Sequence, residues 1–165
     1  MTLPSDLLND LEDMPRQLEQ ALRLLPSDRL AWRPESWGGC PSETFSALEQ
    51  VCHLRDIERD GYHVRIQRML DEPNPSLESL DSYEMAREGR YDSEDLDAAL
   101  AAFRQARQVT VGKLRDVSDA QLARTGDFDE YGRLTLRSLV HYLRSHDQQH
   151  LAGIQWLAGK AASPE

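Results

Sequence analysis

Cysteine is scarce: the 165-residue chain has two, Cys40 and Cys52. They form no CxxC pair, and Cys52 falls inside a helical pattern, so a disulfide framework is not expected. No run of 18 apolar residues exists, which excludes a spanning helix. The start shows no charged segment leading into an apolar one, so no signal peptide is expected, and the expected location is cytoplasmic. Positive charge is in deficit, with 19 Lys and Arg against 29 Asp and Glu and a formal net charge of -10. That balance argues against binding nucleic acid or an anionic membrane through a general field. Many arginines sit among acids at helical spacing, as Arg55 does with Glu58 and Arg59, and this pattern reads as a solvated face. No period-two alternation persists, so strands are not expected. Repeats, low-complexity stretches and a nucleophile elbow are lacking as well. Gly38-Gly39 is a turn signal rather than a phosphate loop.

What the chain does have is four amphipathic segments in a single domain, 1–165. The first runs from about Asp6 to Leu25, with Leu7, Leu11, Met14, Leu18, Leu22 and Leu25 at three- and four-residue steps. Pro15 removes a hydrogen bond there and predicts a kink or a late start. The second begins near Ser42 as N-cap and ends near Leu70, a span of roughly 40 Å at 1.5 Å per residue, weakened at Gly61. The third begins at Asp92 or Ser93 and carries Leu96, Leu100, Phe103, Thr110 and Leu114. The fourth runs from Thr135 to about Ala158, with Gly159 as C-cap. The connections 26–41, 71–91 and 118–134 are long for a simple hairpin series and point to crossovers or functional loops. Ser118 to Leu122 has room for a short helical turn. The expected fold is an all-α four-helix bundle with at least one long crossover.

Three histidines carry the chemistry. His146 and His150 lie four apart, one turn along the same helix face. Their stripe is otherwise apolar: Leu136, Leu139, Leu143, Ile154 and Leu157. A buried imidazole needs partners for its ring nitrogens. These are either neighbouring core groups or one shared metal ion. If the second and fourth helices pack together, His53 joins the pair, since bundles build metal sites from inward side chains on facing helices. Three protein ligands leave positions open, the arrangement of catalytic sites. Imidazole suits Zn, Ni, Fe and Cu, and a divalent ion, Zn or Ni before Fe or Mn, is expected. Asp56, three residues after His53, is the candidate for orienting a ring N–H, and no catalytic residue is assigned. Asp147 points about 100° from the histidine face and should meet another helix or solvent. Glu58 and Gln149 read as surface residues, and His63 and His141 as surface or boundary residues. Trp32, Trp37 and Trp156 read as core plugs, and Cys40 as a passive thiol.

In order and spacing, the chain resembles the DinB/YfiT-like superfamily of metalloenzymes. Its members show a tryptophan and a Ser/Thr before the second helix, then an H-L-x-D-x-E-like stretch, and late in the chain T-L-x-x-L leading into H-D-x-x-H-L-x-x-I. Here the matching residues are Trp37 and Ser42, His53-Leu54-Arg55-Asp56-Ile57-Glu58, Thr135-Leu136 with Leu139, and His146-Asp147-Gln148-Gln149-His150-Leu151 with Ile154. Phe103 and Arg107 also fit. One departure is that four residues separate Trp37 from Ser42, which are usually adjacent. The resemblance implies an up-down-down-up bundle, a metal on His53, His146 and His150, and a small-molecule substrate, and it allows a homodimer. It implies an enzyme that activates water or a low-molecular-weight thiol, as hydrolase or S-transferase. The alternative is a non-catalytic metal-binding stress-response or interaction bundle.

Overall fold

The computed structural model describes residues 3–129 and 131–163. Four helical rods form the bundle: α1 (Ser5–Leu22), a long second rod, α5 (Leu96–Arg115) and α7 (Leu136–Ala162). The second rod is α2 (Ala47–Asp56), a π-helical stretch Ile57–Tyr62, and α3 (His63–Asp71), running on without a break. Short elements lie between the rods: β1 (Ser76–Leu77), α4 (Ser82–Glu88), α6 (Asp119–Leu122), β2 (Thr125–Phe128) and β3 (Gly132–Thr135). α1 packs on α5 and α7, and α2 packs on the same two. The order is up-down-down-up, so the second rod and α5 run parallel and need the long crossover that holds β1 and α4. Among the described residues, no helix is long and apolar enough to cross a membrane.

Two apolar clusters fill the rods, one around Leu11, Ile66, Leu139 and Leu143, the other around Met14, Leu18, Val51, Phe103 and Ile154. Each draws on the heptad-like stripes read from the sequence. The ends of the helices depart from that reading. The second rod is capped by Ser46, not Ser42, because Glu49 three residues on completes a capping box: Glu49 N–H donates to Ser46 Oγ at 3.3 Å and Ser46 N–H to Glu49 Oε2 at 2.7 Å. α5 is capped by Asp95, whose Oδ1 accepts from Ala98 N–H. α7 runs through Gly159 to Ala162, and Gly159 does not end it. α6 is the short turn expected after Ser118, which caps it.

Pro15 does not delay α1, which starts at Ser5 and is helical through the proline to Leu22. The lost donor leaves the Leu11 carbonyl without its helical partner. The Arg107 guanidinium fills the vacancy, donating to Leu11 O at 3.0 Å.

The expectation of no strands is overturned by a three-stranded sheet of order β1-β2-β3. β1 pairs parallel with β2, Leu77 opposite Phe128; β2 and β3 form an antiparallel hairpin, Thr125 opposite Thr135. Strands of two and four residues are too short for alternation to register in the sequence. The sheet ties the crossover to the segment before α7, and so brings two long connections over one end of the bundle.

Candidate metal centre

α2 and α7 face each other, and the three histidines meet between them. His53 Nε2 lies 3.2 Å from His146 Nε2, which lies 3.1 Å from His150 Nε2. They are the one group of three or more His, Cys, Asp or Glu with metal-ligand geometry among the described residues. His53 and His150 are buried; His146 keeps some surface, but its Nδ1 is shut off from water.

The tautomer of His150 follows from its neighbours. Gln50 Nε2 donates to Ser42 Oγ at 2.7 Å and to the carbonyls of Glu43 and Phe45 at 3.2 and 3.3 Å. Carbonyls only accept, so the amide nitrogen faces them and Oε1 faces the histidine. His150 Nδ1–H therefore donates to Gln50 Oε1. Its Nε2 is left with a bare lone pair aimed at the other two rings.

A divalent cation fits this donor set. The Nε2 of His146, in contact with both others, cannot satisfy both, because it carries one proton or one lone pair. Burial lowers the pKa of all three, His146 to about 3, with the positive field of its neighbours adding to the effect. So the cluster does not resolve its contacts by becoming imidazolium. Around a tetrahedral ion with N–metal bonds of 2.0–2.1 Å, donors stand about 3.3 Å apart, close to the spacing here.

His53 and His146 of the cluster floor a cavity of 290 Å³ walled by Glu43, Tyr62, Arg65, Ser82, Phe128 and Tyr131, with His150 behind them. Glu43 and Ser82 precede the bundle helices or belong to the crossover, and Phe128 and Tyr131 belong to the β2–β3 hairpin. The long connections thus shape the entrance. A wider cleft of 550 Å³ between α1 and α5 contains no histidine or cysteine.

Asp56 does not orient a histidine. Its carboxylate is taken by Arg55 at 2.8 Å and Arg59 at 3.0 Å, and His53 Nδ1 has no hydrogen-bond partner. The orienting group is Gln50, an amide on the buried first turns of α2 that no local pattern singled out. Asp147 faces another helix: it is fully buried and pairs with Arg107 at 2.6 and 2.8 Å. Glu58 is not on the surface; it is buried and takes the other edge of Arg107 at 2.9 and 3.0 Å. Arg107 sits four after Phe103 and three before Thr110 on the apolar stripe of α5, so a buried counter-charge was implied there. His63 Nε2–H donates to the Ala106 carbonyl at 3.0 Å, and His141 is exposed. Gln149 lines the cavity. Trp37 stacks on Trp156 with centroids 5.8 Å apart.

Gly153, one turn after His150, lets Ser42 and Gln50 come close. A Cβ there would lie 2.2 Å from Ser42 Oγ and 3.1 Å from Gln50 Nε2. Gly153→Ala is expected to cost about 1–3 kcal/mol through overpacking, outweighing the roughly 1 kcal/mol gained in helix propensity. By displacing Gln50 it should also weaken metal binding about 10–100-fold. Urea unfolding and chelator competition check this; a variant more stable than wild type with unchanged affinity rules it out.

The fold and the centre together define a four-helix bundle with a three-histidine floor between its second and fourth rods. Residues 10–154 match the family model of the DinB superfamily, and the chain belongs to that superfamily. A protein of Oceanobacillus iheyensis named "Putative metal-dependent hydrolase" is 24% identical over 150 residues, covering 91% of this chain and 83% of its own. The fold is that of YfiT from Bacillus subtilis, described as "a probable metal-dependent hydrolase with an unusual four-helix bundle topology", with a TM-score of 0.82. That match covers 99% of this chain and 93% of the other at 20% identity.

Proposed function

We propose that this protein is a metal-dependent hydrolase of a small-molecule substrate, holding one divalent cation, Zn or Ni, on His53, His146 and His150. The observation that carries the reading is the convergence of three imidazole Nε2 atoms beside a solvent-open cavity that His53 and His146 line. Such an ion acidifies a water and polarises a carbonyl or phosphoryl oxygen. The chain's own residues prepare that chemistry. Gln50 fixes the His150 tautomer. Burial keeps the imidazoles unprotonated well below the usual histidine range. Tyr62, whose ring lies 6.1 Å from that of His146, and Phe128 make the walls that limit water around a substrate. A cavity of 290 Å³ fits a small molecule rather than a polymer. Water is placed as the nucleophile because the Oceanobacillus relative is named a hydrolase.

The test is to strip the purified protein with chelator, reload it with Zn, Ni, Fe or Mn, and assay activated esters, amides and phosphoesters beside thiol transfer to an electrophile. One ion per chain with metal-restored hydrolysis supports the reading. Metal-restored thiol transfer alone makes the protein an S-transferase instead. Stoichiometric metal that raises the melting temperature yet supports neither reaction leaves a non-catalytic metal-binding bundle.

A further inference from the structure

A carboxylate with no assigned role stands at the edge of the histidine cluster. Glu43 lies in the connection before α2, outside every motif the sequence offered. Its Oε1 accepts from Ser82 Oγ at 3.2 Å, which anchors the group to the crossover. Its Oε2 is shut off from solvent, has no hydrogen-bond partner, and lies 3.6 Å from His150 Nε2. That nitrogen offers a lone pair, not a proton, because His150 carries its hydrogen on Nδ1 and donates it to Gln50 Oε1. A carboxylate oxygen shut off from water and facing a bare nitrogen is unfavourable unless a cation lies between them. The two connections that wall the cavity, one carrying Glu43 and the other Ser82, hold it in that position.

We propose that Glu43 is the fourth protein group of the metal centre, contributing a negative charge that binds the cation together with the three imidazoles, on the ion itself or across one water. This rests on the three-histidine reading above. Three neutral ligands leave the full dipositive charge of the ion buried in the bundle, and one carboxylate halves it. A centre so composed favours a hard or borderline divalent ion over Cu(I). It also leaves fewer open positions for substrate than a bare histidine triad if the oxygen sits on the ion.

The test compares wild type, Glu43→Gln and His146→Ala. Zn and Ni affinities are measured by chelator competition, visible spectra are taken after Co(II) substitution, and the melting temperature is taken in excess chelator. Glu43→Gln keeps the shape and removes the charge. It should bind metal about 10–100-fold more weakly, while its metal-free melting temperature stays level or rises. Altered Co(II) bands in that variant put the oxygen on the ion; unaltered bands with weakened affinity put it one water away. Metal affinity within twofold of wild type overturns the proposal. So does a metal-free melting temperature that falls while affinity holds, since that marks a packing role. Wild type that binds no ion overturns the histidine site and Glu43's role together, whereas binding lost only in His146→Ala removes Glu43 alone.

Discussion

His146→Ala should lose metal binding by well over 100-fold while the metal-free bundle remains folded. Loss of a group that only orients a ligand already costs about 10–100-fold, and His146 is the ring in contact with both others. The metal-free cost is small because its Nδ1 has no partner and its burial is unfavourable to the charged form. An ion at one hundred times its Kd stabilises the wild type by about 2.7 kcal/mol. For a chain of this length that raises the melting temperature by roughly 5–11 °C, and the variant should show none of it. Acid should separate the two proteins as well. Each folded histidine holds its proton less tightly than in the unfolded chain, so on acidification the unfolded chain takes up protons first. The stability from neutral histidines is complete above about pH 6.5 and is lost as pH falls toward the folded values, near 3 for His146. The slope is at most about 1.4 kcal/mol per pH unit for each histidine. In chelator, then, the wild type should lose stability between pH 6.5 and 5 more steeply than His146→Ala. Parallel curves, or a variant that retains the metal-induced rise, would sink this account.

The parts of the centre legible in the sequence are those carried by helical period. His146 and His150 fall on an apolar stripe, and that stripe fixes both the helix and the inward direction of the rings. Gln50 and Glu43 were not legible, for different reasons. Gln50 lies on a helix buried on nearly every side, where polar and apolar residues are both inside and one amide gives no periodic signal. Glu43 lies in a connection, where position depends on tertiary anchors such as Ser82 rather than on spacing. The same distinction holds for the fold. The four rods follow from three- and four-residue steps, whereas the sheet rests on pairs such as Leu77 with Phe128 that are far apart in the chain. Asp56 misled because a face shared with His53 does not decide which partner wins. Arg55 and Arg59 are nearer and charged, and they take the carboxylate.

Arg107→Met should be the most destabilising single change in the molecule, at about 3–5 kcal/mol. Arg107 binds Glu58 through Nε and Nη2, Asp147 through Nη1 and Nη2, and the Leu11 carbonyl through Nη1. Thr110 Oγ1 donates to Glu58 as well, at 2.5 Å. One side chain thus joins α1 at its proline, the π-helical stretch, α5 and α7. Methionine fills much of the volume but leaves two buried carboxylates without a cation and the Leu11 carbonyl without a donor. The melting temperature should fall by roughly 6–20 °C. Burial already pushes the Asp147 carboxyl up, against the Arg107 charge that holds it down. With that charge gone, Asp147 holds its proton in the folded state more tightly than in the unfolded one. The deficit relative to wild type is then smallest in acid and grows as pH rises past the usual carboxylate range near 4. Adding Glu58→Gln and Asp147→Asn to Arg107→Met removes both stranded charges and should recover most of the loss, because a neutral buried set needs no cation. Asp147 adjoins His146 and Glu58 lies in the π-helical stretch that ends at Tyr62, so Arg107→Met should also weaken metal binding. The triple variant should regain stability before it regains affinity, since its amides no longer fix the angle between α7 and the second rod as the bidentate guanidinium does. Thermal melts of the wild type, Arg107→Met and the triple variant at pH 5 and 7 decide the matter; a loss below about 1 kcal/mol in Arg107→Met, or a deficit that shrinks as pH rises, contradicts it.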